Sequence, residues 1–434
     1  MKRLIIFGVM ATAFAATAFA AGLSKEELAR IAVADDAAAS KAAIAELREM
    51  GQKGLDALMT QNAAAISQYA RTGEHTPEWD RVANAIDTVA MQKDAYASGL
   101  YWFTDLEQAR DEADARNRPI LSLRLLGNLN EEFSCANSRL FRSLLYSNAE
   151  LAKYLRENYV LHWRSVRPAP RITIDFGDGR KIERTITGNS IHYILDESGL
   201  VIDALPGLYS PKAFELYLKQ AFEVNKVIDG LPLGDRELAV KKFRKLSFDR
   251  IAERRANAVA VTKVKLEEPP PAVTYNDKGE AVRAINAAPV AASKMVIVDE
   301  VSLLRVYDEF TRFAPQMDFS DWQRLSAVYS KENGVDAAST AFIMRQNRGS
   351  GRTQAEYDAM FERLNEFVAL DTTRNDFLYR TQIYDQLNRR ERLELEQLND
   401  VIYARIFKTP SSDEWLGLYS TDVYAALDGN GIIR

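Results

Sequence analysis

Cys135 is the only cysteine in the chain, and it stands in the run Phe-Ser-Cys-Ala-Asn-Ser-Arg-Leu-Phe-Arg that ends at Arg142. A thiolate is the nucleophile of thiol–disulfide exchange, so a lone thiol can form a mixed disulfide but cannot close an internal one. Its neighbours are of types that would tune it. With Ser134 as the N-cap, Cys135 becomes the first residue of a helix. Unpaired backbone N–H groups and the helix dipole favour a thiolate there. Asn137 could donate a hydrogen bond to the sulfur and Ser138 could solvate it. Arg139 and Arg142, one and nearly two turns on, would add positive charge if they folded back. Ser138 cannot resolve a mixed disulfide, which would last until an outside thiol removed it. The opposite reading makes Cys135 a small buried hydrophobe beneath the preceding loop, because free cysteines are among the most buried residues. In that case the arginines pair with Glu131, Glu132 or Asp175 and hold the fold.

Other constellations are weaker. The histidines are His75, His162 and His192, and with one cysteine they offer no metal-ligand spacing. Hydrolysis by a Cys–His pair would need His162 or His192, both on predicted strands, beside Cys135. Each also reads as a hydrogen-bonded core histidine. Gly177-Asp178-Gly179-Arg180 lacks the lysine and following helix of a phosphate loop, so it reads as a hairpin turn. Nothing in the sequence asks for a cofactor.

The elements that would position Cys135 are legible from periodicity. Residues 21–100 read as a helical region that opens on a capping box, Ser24 with Glu27. Gly51 and Gly54 break the helical run there, and no second copy at a fixed period supports a repeat array. Leu106, Ala109 and Ala113 mark one face of a helix. Pro119 then leads into the apolar strand Ile-Leu-Ser-Leu-Arg-Leu-Leu from Ile120. Two helical stretches follow, then a strand over 158–166. Two hairpins come next, turning at Gly177-Asp178-Gly179 and at Glu197-Ser198-Gly199. A helix with Ser210 as N-cap and Pro211 at its first position closes the unit. Residues 226–265 contain a basic helix, read as a solvated face. Three consecutive prolines sit in a Pro/Ala-rich linker over 266–294. Residues 295–434 read as a C-terminal helical domain with an aromatic core, Trp322, Tyr329, Tyr357, Phe361 and Tyr403 among it.

This order over residues 101–225 resembles the thioredoxin fold, an α/β domain with a central mixed sheet and flanking helices, here between two helical regions. In that family a C-x-x-C motif is followed eight residues later by an aromatic residue. Counting back from Tyr146 puts Ser138 at the second cysteine and Cys135 at the first. The resemblance therefore implies Cys135 as nucleophile and Ser138 at the resolving position, with Ser134, Asn137, Arg139 and Arg142 in support. The family's cis-proline maps near Ser190, so the chain departs from the pattern twice. The segments FSCANSR, HWRSVRP, DFGDGR, TGNSIHY and PGLY together resemble a group of uncharacterised bacterial exported thioredoxin-like proteins.

A chain of 434 residues, 47% hydrophobic and 27% charged, is ordinary for folded domains, and its length suggests two or three. A net charge of −5 gives no footprint for nucleic acid or an anionic membrane. Lys2, Arg3, an apolar stretch and Ala-Phe-Ala at 18–20 read as a signal peptide over 1–20, with export to a bacterial periplasm and no membrane span after cleavage. Two functions follow as expectations. One is a monothiol protein that joins envelope proteins or a small thiol through Cys135. The other is a non-catalytic scaffold or protein-binding module. The sequence leaves the oligomeric state open.

Overall fold

The computed structural model describes residues 22–185, 189–265, 319–329, 335–388, 393–407, 409 and 426–427. The expected signal peptide, the Pro/Ala-rich linker, the first part of the C-terminal helical domain before 319 and most of the chain after 409 lie outside the described residues.

The described residues open with five helices: α1 (Lys25–Ile31), α2 (Ala37–Glu49), α3 (Gln52–Gln61), α4 (Ala63–Thr72) and α5 (Pro77–Ala90). The expected capping box is present, with Ser24 and Glu27 satisfying each other's backbone N–H groups. Gly51 breaks the run with φ +65°, whereas Gly54 does not. It lies inside α3, pressed against the Leu47 backbone so closely that a Cβ would overlap the Leu47 carbonyl. Arg48 ties α2 to α5 and to the segment beyond it by donating to the carbonyls of Val89 and Trp102.

After α6 (Leu106–Arg116), capped by Asp105, come the strands β1 (Ile120–Leu126), β2 (Val160–Arg167), β5 (Ile191–Leu195) and β6 (Val201–Pro206). They form one sheet in the order β2-β1-β5-β6. β1 and β2 run parallel, while β1–β5 and β5–β6 are antiparallel. Central β1 is buried along its whole length, which explains its near-continuous apolar run. Its two polar residues follow the period of two. Ser122 and Arg124 share a face with their register partners His162, Arg164 and Tyr193. Leu121, Leu123 and His192 share the other face.

Between β1 and β2 lie α7 (Ala136–Leu140), a π-helical turn at Phe141–Tyr146, and α8 (Ala149–Asn158). Helix α9 (Pro211–Ile228) has Ser210 as N-cap and Pro211 at its first position. β3 (Arg171–Asp175) and β4 (Lys181–Thr185) form a separate two-stranded hairpin.

The long basic helix α10 (Leu233–Thr262) is not wholly a solvated face. Its Arg244 is buried and donates to the carbonyls of Val201 and Ile202 on β6. The C-terminal helices are α11 (Phe319–Ala327), α12 (Ala337–Gln346), α13 (Gln354–Arg374), α14 (Thr381–Leu387) and α15 (Leu395–Arg405). A second π-helical turn, Asn375–Arg380, joins α13 to α14. Trp322, Tyr357 and Tyr403 are buried, in line with an aromatic core. These helices pack on the sheet rather than standing apart. Leu395, Leu398, Ile402 and Tyr403 belong to the same apolar core as β1 and β5. Gly207 shows how close the approach is. Its φ is +69°, and a Cβ there would lie 2.8 Å from the Asn375 amide, which donates to the Leu208 carbonyl. No described helix is long and apolar enough to cross a membrane.

Candidate functional site

Cys135 follows the C-terminal end of β1, across a loop that doubles back on the strand. Its N–H donates to the Leu126 carbonyl at 3.0 Å, which pins the residue to the strand end. Cys135, not Ser134, is the N-cap of α7, and its side chain makes no capping hydrogen bond. The regular helix behind it is only five residues long before it widens into the π turn, so it offers a small dipole. The sulfur has 0% exposure. Sγ lies 3.5 Å from Ser138 Oγ, and that hydroxyl donates its own proton to the Cys135 carbonyl at 2.8 Å. The sulfur therefore meets an oxygen lone pair. That oxygen accepts the S–H of the thiol.

The supporting residues largely serve other partners. Arg142 is buried and turns to the loop side, where it donates to the Glu132 carbonyl at 3.3 Å and faces Asp94 at 3.8 Å. Burial pushes its pKa down. Arg139 donates to Thr185 Oγ1 at 3.0 Å, and Thr185 donates to the Ser134 carbonyl at 3.1 Å. The base of the β3–β4 hairpin is thereby tied to the Cys135 loop. Asn137, expected to donate to the sulfur, donates to the hydroxyl of Ser190 at 3.1 Å, the residue near which the cis-proline position maps. Of the residues expected to act together, the structure brings Cys135, Ser138, Asn137 and Ser190 to one place.

That place is roofed. Tyr403 of α15 donates to the Asn189 carbonyl at 3.2 Å, and the Asn189 amide donates to Thr409 Oγ1 at 3.0 Å. Arg167 donates to the Thr409 carbonyl at 3.1 Å. Further along the same helix, Glu396 pairs with buried Arg124 at 2.7 Å, and Asn399 accepts from Tyr193 at 3.1 Å. Tyr146 and Tyr403 both stand near the sulfur. Burial pushes their phenol pKa values well up, and the proximity of Cys135 adds to it.

Neither core histidine hydrogen-bonds Cys135 among the described residues. His192 Nε2 is 2.7 Å from the Tyr146 hydroxyl, and His162 Nδ1 is 2.8 Å from Ser122 Oγ. Burial pushes both pKa values down to about 3, with Arg124 and Arg164 adding to the effect at His162. Both imidazoles stay neutral near pH 7 and act as polar core residues. No group of His, Cys, Asp and Glu among the described residues could hold a metal.

The structure reveals one polar cluster that sequence reasoning missed. Asp203 of β6 pairs with Arg380 at 2.5 Å and accepts from the Tyr384 hydroxyl at 2.9 Å. Arg380 also faces Asp376 at 3.5 Å and lies over the Tyr217 ring at 3.9 Å. Asp376 accepts from Tyr217 and from Arg254 of α10. The cluster is sealed, and only Arg254 reaches solvent appreciably. It locks α9, α10, the second π-helical turn and α14 onto the sheet edge. Its one sequence signal is an aspartate inside the otherwise apolar strand Val-Ile-Asp-Ala-Leu.

No family model matches the chain, and no curated protein or solved structure matches it significantly.

Proposed function

We propose that this chain is an exported thioredoxin-like protein that works in the cell envelope as a non-catalytic scaffold or protein-binding module, with Cys135 as a core residue. The observation that carries this reading is the closed thiol. Cys135 is fully buried, donates to Ser138, and lies under a roof built by α15 and Thr409. Thiol exchange needs an in-line approach by a second sulfur, and a buried thiol offers none. The thioredoxin-like part of the reading is supported by the strand order β2-β1-β5-β6 with β1 and β2 parallel, and by Cys-Ala-Asn-Ser at the start of the first helix after β1.

Maleimide labelling of the native protein tests the reading. Cys135 should react at least about a hundredfold more slowly than in denaturant, because reaction waits on local opening. Cys135→Ser should leave partner binding unchanged. Fast native labelling, or capture of a mixed disulfide from oxidised glutathione, would reverse the conclusion.

A second reading, monothiol exchange with an envelope protein or small thiol, draws on one observation. Much of what holds the roof is polar, and Glu396 at its edge is half exposed. Segments held this way can open without global unfolding. That reading expects labelling to accelerate when the roof is loosened, and a stable mixed disulfide to follow.

A further inference from the structure

The β3–β4 hairpin is an arm that meets the body of the protein at its base, where Thr185 bonds the Cys135 loop and Arg171 lies over the Phe133 ring at 4.6 Å. Its strands pair only with each other among the described residues. Phe176 N–H donates to the Arg180 carbonyl at 3.1 Å, which fixes the alternation of the ladder. Residues 172, 174 and 176 exchange bonds with β4. Arg171, Thr173 and Asp175 therefore aim their N–H and C=O groups at the free edge. Ile172, Ile174 and Ile182 share one face of the arm, and none of them packs against the main apolar core. Phe176 at the tip is 52% exposed. A strand edge left open among the described residues, beside apolar side chains outside the main core, is a template for strand addition.

The free edge reads Arg-Ile-Thr-Ile-Asp, and its chemistry is self-complementary. We propose that β3 is a homodimerisation edge, where two copies pair antiparallel about Thr173 to form a four-stranded sheet β4-β3-β3-β4 across a two-fold axis. In this register Arg171 of each copy stands opposite Asp175 of the other. Ile172 stands opposite Ile174 in the closely spaced, non-hydrogen-bonded pairs. Residues 171, 173 and 175, whose backbone groups already point outward, become the hydrogen-bonded ones. Asp175 already faces Lys181 at 2.9 Å and Arg171 faces Glu183 at 3.4 Å, so the sheet would carry a row of alternating sign: Lys181, Asp175, Arg171 of the second copy, then its Glu183 diagonally beyond. The outer edge of β4 is a poorer candidate. Self-pairing there sets Glu183 opposite Glu183, and like charges directly opposite are destabilising. A β3-to-β4 contact would be heterologous and would not close, whereas the β3 two-fold does.

Sedimentation velocity on the purified chain from about 1 to 100 μM tests the proposal. The wild type should show a concentration-dependent dimer. R171D sets Asp opposite Asp, and D175R sets Arg opposite Arg, so each alone should sediment as a monomer. Mixed in equal amounts the two become complementary at both ends and should form a heterodimer. The double variant R171D/D175R restores opposite charges across the two-fold and should regain a dimer that neither single variant forms, weaker than the wild type because the new arginine stands opposite Lys181 in its own hairpin. Thr173→Pro removes an outward N–H without costing a bond to β4, and should weaken association at least about tenfold. The proposal is overturned if the wild type stays monomeric throughout, or if the single variants associate as the wild type does. It is equally overturned if neither the mixture nor the double variant regains the dimer.

Discussion

Arg380 makes a strong demand on the fold. It has 0% exposure and is held between Asp203, Asp376 and the Tyr217 ring. Taking a guanidinium out of water is costly, and two carboxylates with a ring face offset that cost. Removing the arginine leaves two buried carboxylates short of a partner. Arg380→Met should therefore lower unfolding free energy by about 3–5 kcal/mol, read from urea denaturation. Arg380→Lys should recover only part of it, because an ammonium cannot fork between two carboxylates and stack on a ring. Cys135 shows the contrasting case. Its type and spacing announced chemistry, but the Ser138 hydroxyl, whose proton goes to the Cys135 carbonyl, turns only its oxygen toward the sulfur.

At the scale of elements, close approaches decide outcomes that propensity would misjudge. Alanine usually favours a helix over glycine by about 1 kcal/mol. Gly54→Ala should nevertheless destabilise the protein by about 1–3 kcal/mol, since its Cβ meets the Leu47 backbone and α2 must shift away from α3. Thermal unfolding gives the sign directly. The roof over Cys135 is an element-scale contact too. Tyr403→Phe takes the donor from the Asn189 carbonyl and should cost about 1 kcal/mol. The same change should speed native labelling of Cys135, because α15 is held at that point by the bond removed. Unchanged labelling would mean that apolar packing alone keeps the roof shut.

For the whole molecule, the two core histidines tie stability to pH. Both have pKa values depressed to about 3 in the fold, against about 6.5 when unfolded. Below pH 6.5 the unfolded chain binds protons that the native state refuses. Their contribution is thus fully present above about pH 6.5 and is lost as pH falls toward 3. Denaturation midpoints followed between pH 7 and pH 4 should report an uptake of about two protons on unfolding. His162→Gln should reduce that by about one. A slope that the substitution does not change would show that His162 is protonated in the native state.

The sequence by itself determined most of the elements. Period-two and helical patterns, the Ser24–Glu27 capping box, Ser210 before Pro211 and the glycine turns placed the strands and several helix starts, since these signals act between near neighbours. It also singled out Cys135, Ser138, Asn137 and Ser190, which do meet. It did not show that Cys135 would take the N-cap, or that Arg142 would turn toward Asp94 and Glu132. It did not show what covers the groove, either. Asn189 and Thr409 are 220 residues apart in the chain, and Asp203 and Arg380 are 177 apart. Periodicity tells which face of a strand is apolar, not which distant helix will lie on it. Tertiary packing therefore decided that α15 roofs the sheet and that the thiol lies closed beneath it.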